Sequence, residues 1–65
     1  MSIKHVRRFL NDMVMVFDDL GQQMPEYQGE YKNIRKKILS NTNHFTKFSV
    51  DSIEGPNYEI SKNEF

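Results

Sequence analysis

The sequence predicts a mainly α-helical fold, with an α+β fold as the alternative: two antiparallel helices and a C-terminal segment packed across them. Three observations lead to this prediction. Apolar residues recur at steps of three and four in residues 3–20 and again in residues 25–40. Gly21 and Pro25 stand between these segments, where they suit the end of one helix and the start of the next. After Asn41 the periodicity changes, so a different structure is expected there.

The first predicted helix covers residues 3–20. Ser2 suits the N-cap position, and Gly21 can adopt the left-handed conformation that ends many helices. Phe9 and Val16 lie beside the main stripe and widen the apolar arc to about 160°, which is more than one neighbouring helix can cover. The stripe itself consists of Ile3, Val6, Leu10, Met13, Val14, Phe17 and Leu20.

The second predicted helix covers residues 25–40. Its apolar face consists of Tyr27, Tyr31, Ile34 and Ile38, which are spaced by four, three and four positions. Acidic residues near its start and basic residues near its end agree with the helix dipole. The short connection from the first helix favours an antiparallel helical hairpin.

Residues 41–61 are predicted to form an irregular segment or a short β-hairpin, with a third helix over residues 44–53 as the alternative. Residues 46–50 alternate between polar and apolar side chains like a half-buried strand, and residues 58–60 do so briefly. Residues 54–57, Glu-Gly-Pro-Asn, are typical of a turn. Residues 62–65 are predicted to be a frayed tail. The chain is short enough that residues 1–65 are expected to form one small domain.

Composition narrows the classes of function. The chain has no cysteine, which excludes disulfides and thiol chemistry and agrees with a cytoplasmic location. Its longest apolar run, residues 13–17, is far too short to span a membrane. Nine basic and nine acidic side chains cancel, so only a local patch could bind a polyanion such as nucleic acid.

The sequence predicts no catalytic site, no metal site and no cofactor, and hence a protein that is not an enzyme. Neither His5 nor His44 has a second ligand at a spacing typical of metal sites. Asp18 and Asp19 are adjacent, so on a helix they would point in different directions and mostly into water. No phosphate-binding loop or nucleophile elbow is present.

Two surfaces remain as candidate binding sites. The surplus apolar surface of the first helix predicts a regulatory or inhibitory module that masks a larger protein or forms a dimer. In size and lack of catalytic equipment the chain is similar to small inhibitors that phages encode. Apolar side chains would supply the contact and charged ones would orient the partner. The predicted interface residues are Val6, Arg7, Arg8, Phe9, Asp12, Met13 and Val16.

The alternative function is that of a nucleic-acid-binding regulator. The second helix carries a basic stripe on the side opposite its tyrosine and isoleucine face. Acidic residues near its start would repel phosphate, so the stripe favours phosphate contact without base recognition. The predicted nucleic-acid-binding residues are Lys32, Arg35, Lys36 and Lys37.

Overall fold

The computed structural model describes residues 2–53 and 55–65, which form a mixed β-sheet of five strands with an α-helix packed on one face. Short 3-10 turns lie at Pro25–Tyr27 and Lys62–Glu64. The strands are β1 (Ile3–Arg8), β2 (Met13–Asp18), β3 (Gly29–Glu30), β4 (Lys47–Val50) and β5 (Tyr58–Ile60), and the helix is α1 (Tyr31–Leu39).

The sheet order is β3-β2-β1-β4-β5, so the first strand of the chain lies at the centre. β1 pairs antiparallel with β2 and parallel with β4, and β4 pairs antiparallel with β5. α1 connects the β2–β3 side of the sheet to β4. In residues 2–53 and 55–65, no helix combines the length and the apolar character that crossing a bilayer requires.

The predicted mainly α fold and its helical hairpin are wrong, because residues 3–20 form β1, a tight turn and β2 instead of a helix. The Phe9 N–H donates to the Met13 carbonyl at 2.8 Å, and the Asp12 N–H donates to the Phe9 carbonyl at 3.0 Å. Asp12 has a φ of 64°, as expected for the left-handed residue of a three-residue hairpin loop. The Asn11 side chain accepts a bond from the Met13 N–H at 3.1 Å. Asn and Asp tolerate these conformations, and this turn signal outweighs the apparent helical spacing.

The second predicted helix is shorter than expected. Residues 25–40 contain a 3-10 turn and β3 before α1 begins at Tyr31. Gly29 has a φ of 154° and pairs with Val14 in the sheet, which a helical backbone cannot do. Within α1 the predicted apolar face is present, since Ile38 is buried and Ile34 packs against the core.

The two strands predicted near the C-terminus are present as β4 and β5, and they pair antiparallel. The alternative of a third helix over residues 44–53 is therefore wrong. The predicted turn at residues 54–57 includes Glu54, which lies outside the described residues. The predicted fraying of residues 62–65 is also wrong, because Ser61 and Glu64 form a reciprocal capping box and Phe65 is buried.

The hydrophobic core lies between α1 and one face of the sheet. Val6 pairs with Val16 on one side and with Phe48 on the other, which places all three on the same face. The buried apolar residues are Ile3, Val6, Val14, Val16, Met24, Ile38, Phe48 and Phe65. α1 does not cover the other face of the sheet.

Asp18, expected to face water, is buried where β2 ends. One carboxylate oxygen accepts hydrogen bonds from the backbone N–H groups of Leu20 and Gln22, both at 2.9 Å. The Gly21 N–H donates to the Asp18 carbonyl at 3.0 Å. Asp18 therefore holds the turn that follows β2 in place.

Candidate functional site

The sheet face opposite α1, which we call the open face, carries the side chains that alternate with the core residues. Arg7 lies between Met15 of β2 and Ser49 of β4, and His5 lies between Phe17 and Lys47. The residues of the open face are His5, Arg7, Met13, Met15, Phe17, Lys47, Ser49 and Glu59.

The outward side of β2 is apolar, although it lies on the open face. Met13, Met15 and Phe17 alternate with the buried Val14 and Val16, and all three are partly exposed. A sheet face in contact with water normally carries polar residues at these positions. Methionine and phenylalanine are enriched in protein interfaces. This apolar row is the main reason to treat the open face as a candidate binding site.

The charges on the open face are paired with each other. Arg7 donates from Nε and Nη2 to one carboxylate oxygen of Asp51, at 3.1 and 3.0 Å. Its guanidinium carbon also lies 4.8 Å from the centre of the Phe9 ring. Lys47 and Glu59 approach to 3.8 Å. The face therefore presents little uncompensated charge.

His5 and Ser49 form a hydrogen bond at the centre of the open face, with 2.9 Å between the imidazole Nε2 and the serine Oγ. The His5 ring also lies beside Phe17, with 6.1 Å between ring centres. Burial lowers the pKa of His5, the positive charge of Arg7 lowers it further, and Glu59 opposes this effect. The bond fixes the ring on the sheet. A nucleophilic serine would also need a third group to orient the histidine, and the hydrogen bonds of the described residues supply none.

A group of exposed apolar residues lies at the end of the sheet where the β1–β2 turn meets the segment after β4. Leu10, Ile53 and Tyr58 are 60%, 87% and 56% exposed. They line one shallow depression together with Asp51 and Ser52. A second depression connects Leu10 and Phe9 to Met13 and Met15. We call Phe9, Leu10, Ile53 and Tyr58 the distal cluster. Phe9 and Leu10 connect it to the apolar row of the open face, whereas Tyr58 pairs with Val50 on the side of the sheet that α1 covers.

The structure separates the predicted interface residues into three groups. Val6 and Val16 are 0% exposed and belong to the core, so their assignment to an interface needs correction. Arg8 and Asp12 form an ion pair of 2.7 Å away from the open face, and the Arg8 guanidinium lies 3.6 Å from the Tyr31 ring centre. The members of the predicted interface found on the open face or in the distal cluster are Arg7, Phe9 and Met13.

Sequence reasoning missed the other members of this surface. Met15 was not among the predicted interface residues, and Phe17 was assigned only to the apolar stripe of the first predicted helix. The alternation of residues 13–17 was the available signal, but an unbroken apolar run fits a strand and a helix equally well. Ile53 and Tyr58 lie beside Leu10 because β4 is the parallel neighbour of β1, a pairing that local sequence does not reveal.

The four predicted nucleic-acid-binding residues are all exposed on α1. Lys37 donates to the Glu26 carbonyl at 2.8 Å and lies 5.1 Å from the Tyr27 ring centre. Arg35 donates from Nε to the Phe65 carbonyl at 3.3 Å. Lys32 and Lys36 lie one helical turn apart. Arg35 and Lys37 therefore extend toward different neighbours, while Lys32 and Lys36 lie one above the other on the outer side of α1.

Comparisons with models of protein families, with curated proteins and with solved structures find no match to this chain. Among residues 2–53 and 55–65, no three histidine, aspartate or glutamate side chains are grouped so as to hold a metal ion. Any assignment of function therefore depends on the surfaces described above.

Proposed function

We propose that this protein is a non-catalytic interaction module that binds another protein through its open face and distal cluster. The observation that carries the proposal is the apolar row of Met13, Met15 and Phe17 on a sheet face without a covering helix. Full burial of one such side chain contributes about 1.5–3 kcal/mol. Several of them together can therefore exceed the entropic cost of association and give a specific complex.

The partner surface that fits best is apolar at its centre and carries little net charge. Arg7 is paired with Asp51 and Lys47 with Glu59, so a strongly charged partner would gain little from this face. Binding of this chain would cover such a surface on a larger protein. We therefore infer a regulatory or inhibitory role. A second copy of this chain offers the same chemistry, and self-association is the alternative. We place this activity in the cytoplasm, because proteins there rarely depend on disulfides and this chain has no cysteine.

A matched pair of leucines tests the proposal. Leu10 belongs to the distal cluster, whereas Leu20 lies at the opposite end of the β1–β2 hairpin and is 70% exposed. We expect Leu10→Glu to weaken partner binding at least about tenfold, which corresponds to 1.4 kcal/mol. Leu20→Glu introduces the same charge and should leave binding unchanged. Met15→Glu should behave like Leu10→Glu, because Met15 lies on the open face.

The assay is affinity capture from a host lysate treated with nuclease, followed by mass spectrometry and by titration of the captured protein. Light scattering over a concentration series measures self-association in parallel, and circular dichroism verifies that each variant folds. A dimer that Leu10→Glu and Met15→Glu dissociate would assign the face to a second copy. Equal binding by all three variants and the unmodified chain would contradict the proposal.

A further inference from the structure

Charge is strongly segregated in this chain despite its net charge of zero. No lysine or arginine occurs between Phe9 and Glu30, and no aspartate or glutamate occurs between Tyr31 and Val50. The second of these segments contains α1, whose basic residues are Lys32, Arg35, Lys36 and Lys37. The helix layer is therefore positive on its outer side, while most carboxylates lie elsewhere.

The basic residues of the sheet and of the helix are satisfied in different ways. Three of the four basic residues in the strands, Arg7, Arg8 and Lys47, have a carboxylate partner, at 3.0, 2.7 and 3.8 Å, whereas Lys4 of β1 has none among the described residues. Within the described ranges 2–53 and 55–65, no aspartate or glutamate side-chain oxygen comes within 4.0 Å of a basic group of α1. Arg35 and Lys37 donate instead to main-chain oxygens, those of Phe65 and Glu26. Among the described residues, the positive charges of Lys32 and Lys36 in particular are not paired with an acidic side chain.

This arrangement opposes the stability of the helix. Lys32 and Lys36 are like charges at positions i and i+4, a pairing that destabilises a helix by a few tenths of a kcal/mol. Lys32 also lies in the first turn, at the positive end of the helix dipole. Lys36 and Lys37 lie in the last turn, where the dipole favours them. An external anion would offset the repulsion that the chain itself leaves unbalanced.

The other side chains on the outer face of α1 indicate which kind of anion this surface would bind. Asn33 and Ser40 are polar and exposed beside Lys36, and the Tyr27 ring lies at the edge of this face, 5.1 Å from the Lys37 ammonium nitrogen. Protein interfaces have apolar centres and are depleted in lysine, which this surface does not match. Phosphate oxygens of nucleic acids accept hydrogen bonds from lysine, arginine, serine and asparagine. The composition of the surface therefore favours a phosphate backbone over a protein.

We propose that the outer face of α1 binds the phosphate backbone of a nucleic acid, without base recognition and with Lys36 at its centre. Glu26 and Glu30 precede the helix and repel phosphate, and Lys32 shares a depression with Asp12 and Glu30, so contact concentrates on the last two turns. The open face lies on the opposite side of the sheet. Both surfaces can therefore be occupied together, and the chain would connect a protein to a nucleic acid.

The test is fluorescence anisotropy with a labelled random-sequence duplex DNA and a labelled single-stranded RNA of the same length. We expect a dissociation constant of about 10⁻⁴–10⁻⁶ M near physiological salt for at least one of the probes. With about three phosphate contacts, the logarithm of the affinity should fall with the logarithm of salt concentration with a slope of about −2.7 for the duplex.

Two charge-reversing variants separate a local site from the effect of net charge. Lys36→Glu should weaken binding about tenfold or more and reduce the salt slope by at least about one. Lys62→Glu makes the same change of net charge outside α1 and should alter binding less than about twofold. Circular dichroism verifies that both variants fold, which is expected because both lysines are exposed.

Three results would overturn the proposal. One is the absence of binding to either probe at low salt. Another is that Lys36→Glu and Lys62→Glu weaken nucleic-acid binding equally, which would show that only the net charge of the chain matters. The third is that an acidic protein binds the unmodified chain, that Lys36→Glu abolishes this binding, and that neither probe displaces the protein. Leu10→Glu should leave nucleic-acid binding intact, so this test remains independent of the protein partner.

Discussion

Replacing Phe65 by alanine is expected to remove a large part of the stability of this fold. Phe65 is 1% exposed and closes one end of the core. Its ring centre lies 4.9 Å from that of Phe48 and 5.3 Å from that of Tyr31, the latter in an edge-to-face arrangement at 78°. The Tyr31 hydroxyl and the Arg35 Nε–H donate to its carbonyl, and both bonds can persist in the variant because they involve the backbone.

The expected loss follows from the burial of this ring. Truncating a buried phenylalanine to alanine costs about 3–5 kcal/mol, because transfer energy is lost and a cavity remains. Each aromatic pair adds about 0.5–1.5 kcal/mol beyond the area buried. A chain of 65 residues has a total stability of about 3–10 kcal/mol at 0.05–0.15 kcal/mol per residue. Phe65→Ala should therefore leave a domain that is at most marginally folded.

Urea denaturation followed by circular dichroism measures this loss. With a slope near 1 kcal/mol per molar urea, the midpoint should fall by about 3 M or more, or no folded baseline should remain. Phe45→Ala is the matched control, because Phe45 is 69% exposed and its truncation should change stability by less than about 0.5 kcal/mol. A loss below about 1 kcal/mol for Phe65→Ala would show that the ring is not part of the core.

Three further predictions concern single polar residues. Asp18→Ala should destabilise the chain by about 1–3 kcal/mol in the same denaturation assay, because two backbone N–H groups lose their acceptor; an unchanged midpoint would contradict that role. Asp12→Val should cost about 1–2 kcal/mol because its φ of 64° disfavours a branched side chain, whereas Asp12→Gly should restore most of that loss; equal stability of the two variants would be inconsistent with the left-handed turn. The pKa of His5 is lowered in the folded chain, so its contribution to stability is complete above the ordinary histidine pKa of about 6.5 and decreases as the pH falls from there through the lowered folded-state value. His5→Gln should weaken this pH dependence of the urea midpoint, and an identical pH profile would refute the burial argument.

The helical reading of residues 3–20 failed because a distorted strand imitates helical spacing. The pairing of β1 with β2 is irregular between Ile3 and His5, so Ile3 and Val6 face the same side although they are three positions apart. Three is also the spacing of one helical turn. Residues 13–17 are all apolar and therefore fit either period. The β-branched Val14 and Val16 favour a strand over a helix.

Elements whose cause is local were predicted better. The alternation of β4 and β5 and the proline-containing turn signal between them are contained within a few neighbouring residues. The apolar face of α1 and its basic outer face likewise follow from helical spacing within residues 31–39. The open face could not be predicted in the same way, because it depends on the parallel pairing of β1 with β4 across most of the chain. Val6 and Val16 were assigned to an interface for that reason, since only the sheet shows which side of β1 and β2 is covered.

The central position of β1 also has a consequence for how the chain folds during synthesis. β1 and β2 leave the ribosome together and can form their hairpin at once, but a hairpin alone is marginally stable in water. The other neighbour of β1 is β4, which is translated only after α1. The entropy of closing that long loop must be lost before the parallel pairing and the core contacts compensate for it. The β1–β2 hairpin should therefore remain only marginally stable, and open to chaperones, until β4 has been translated.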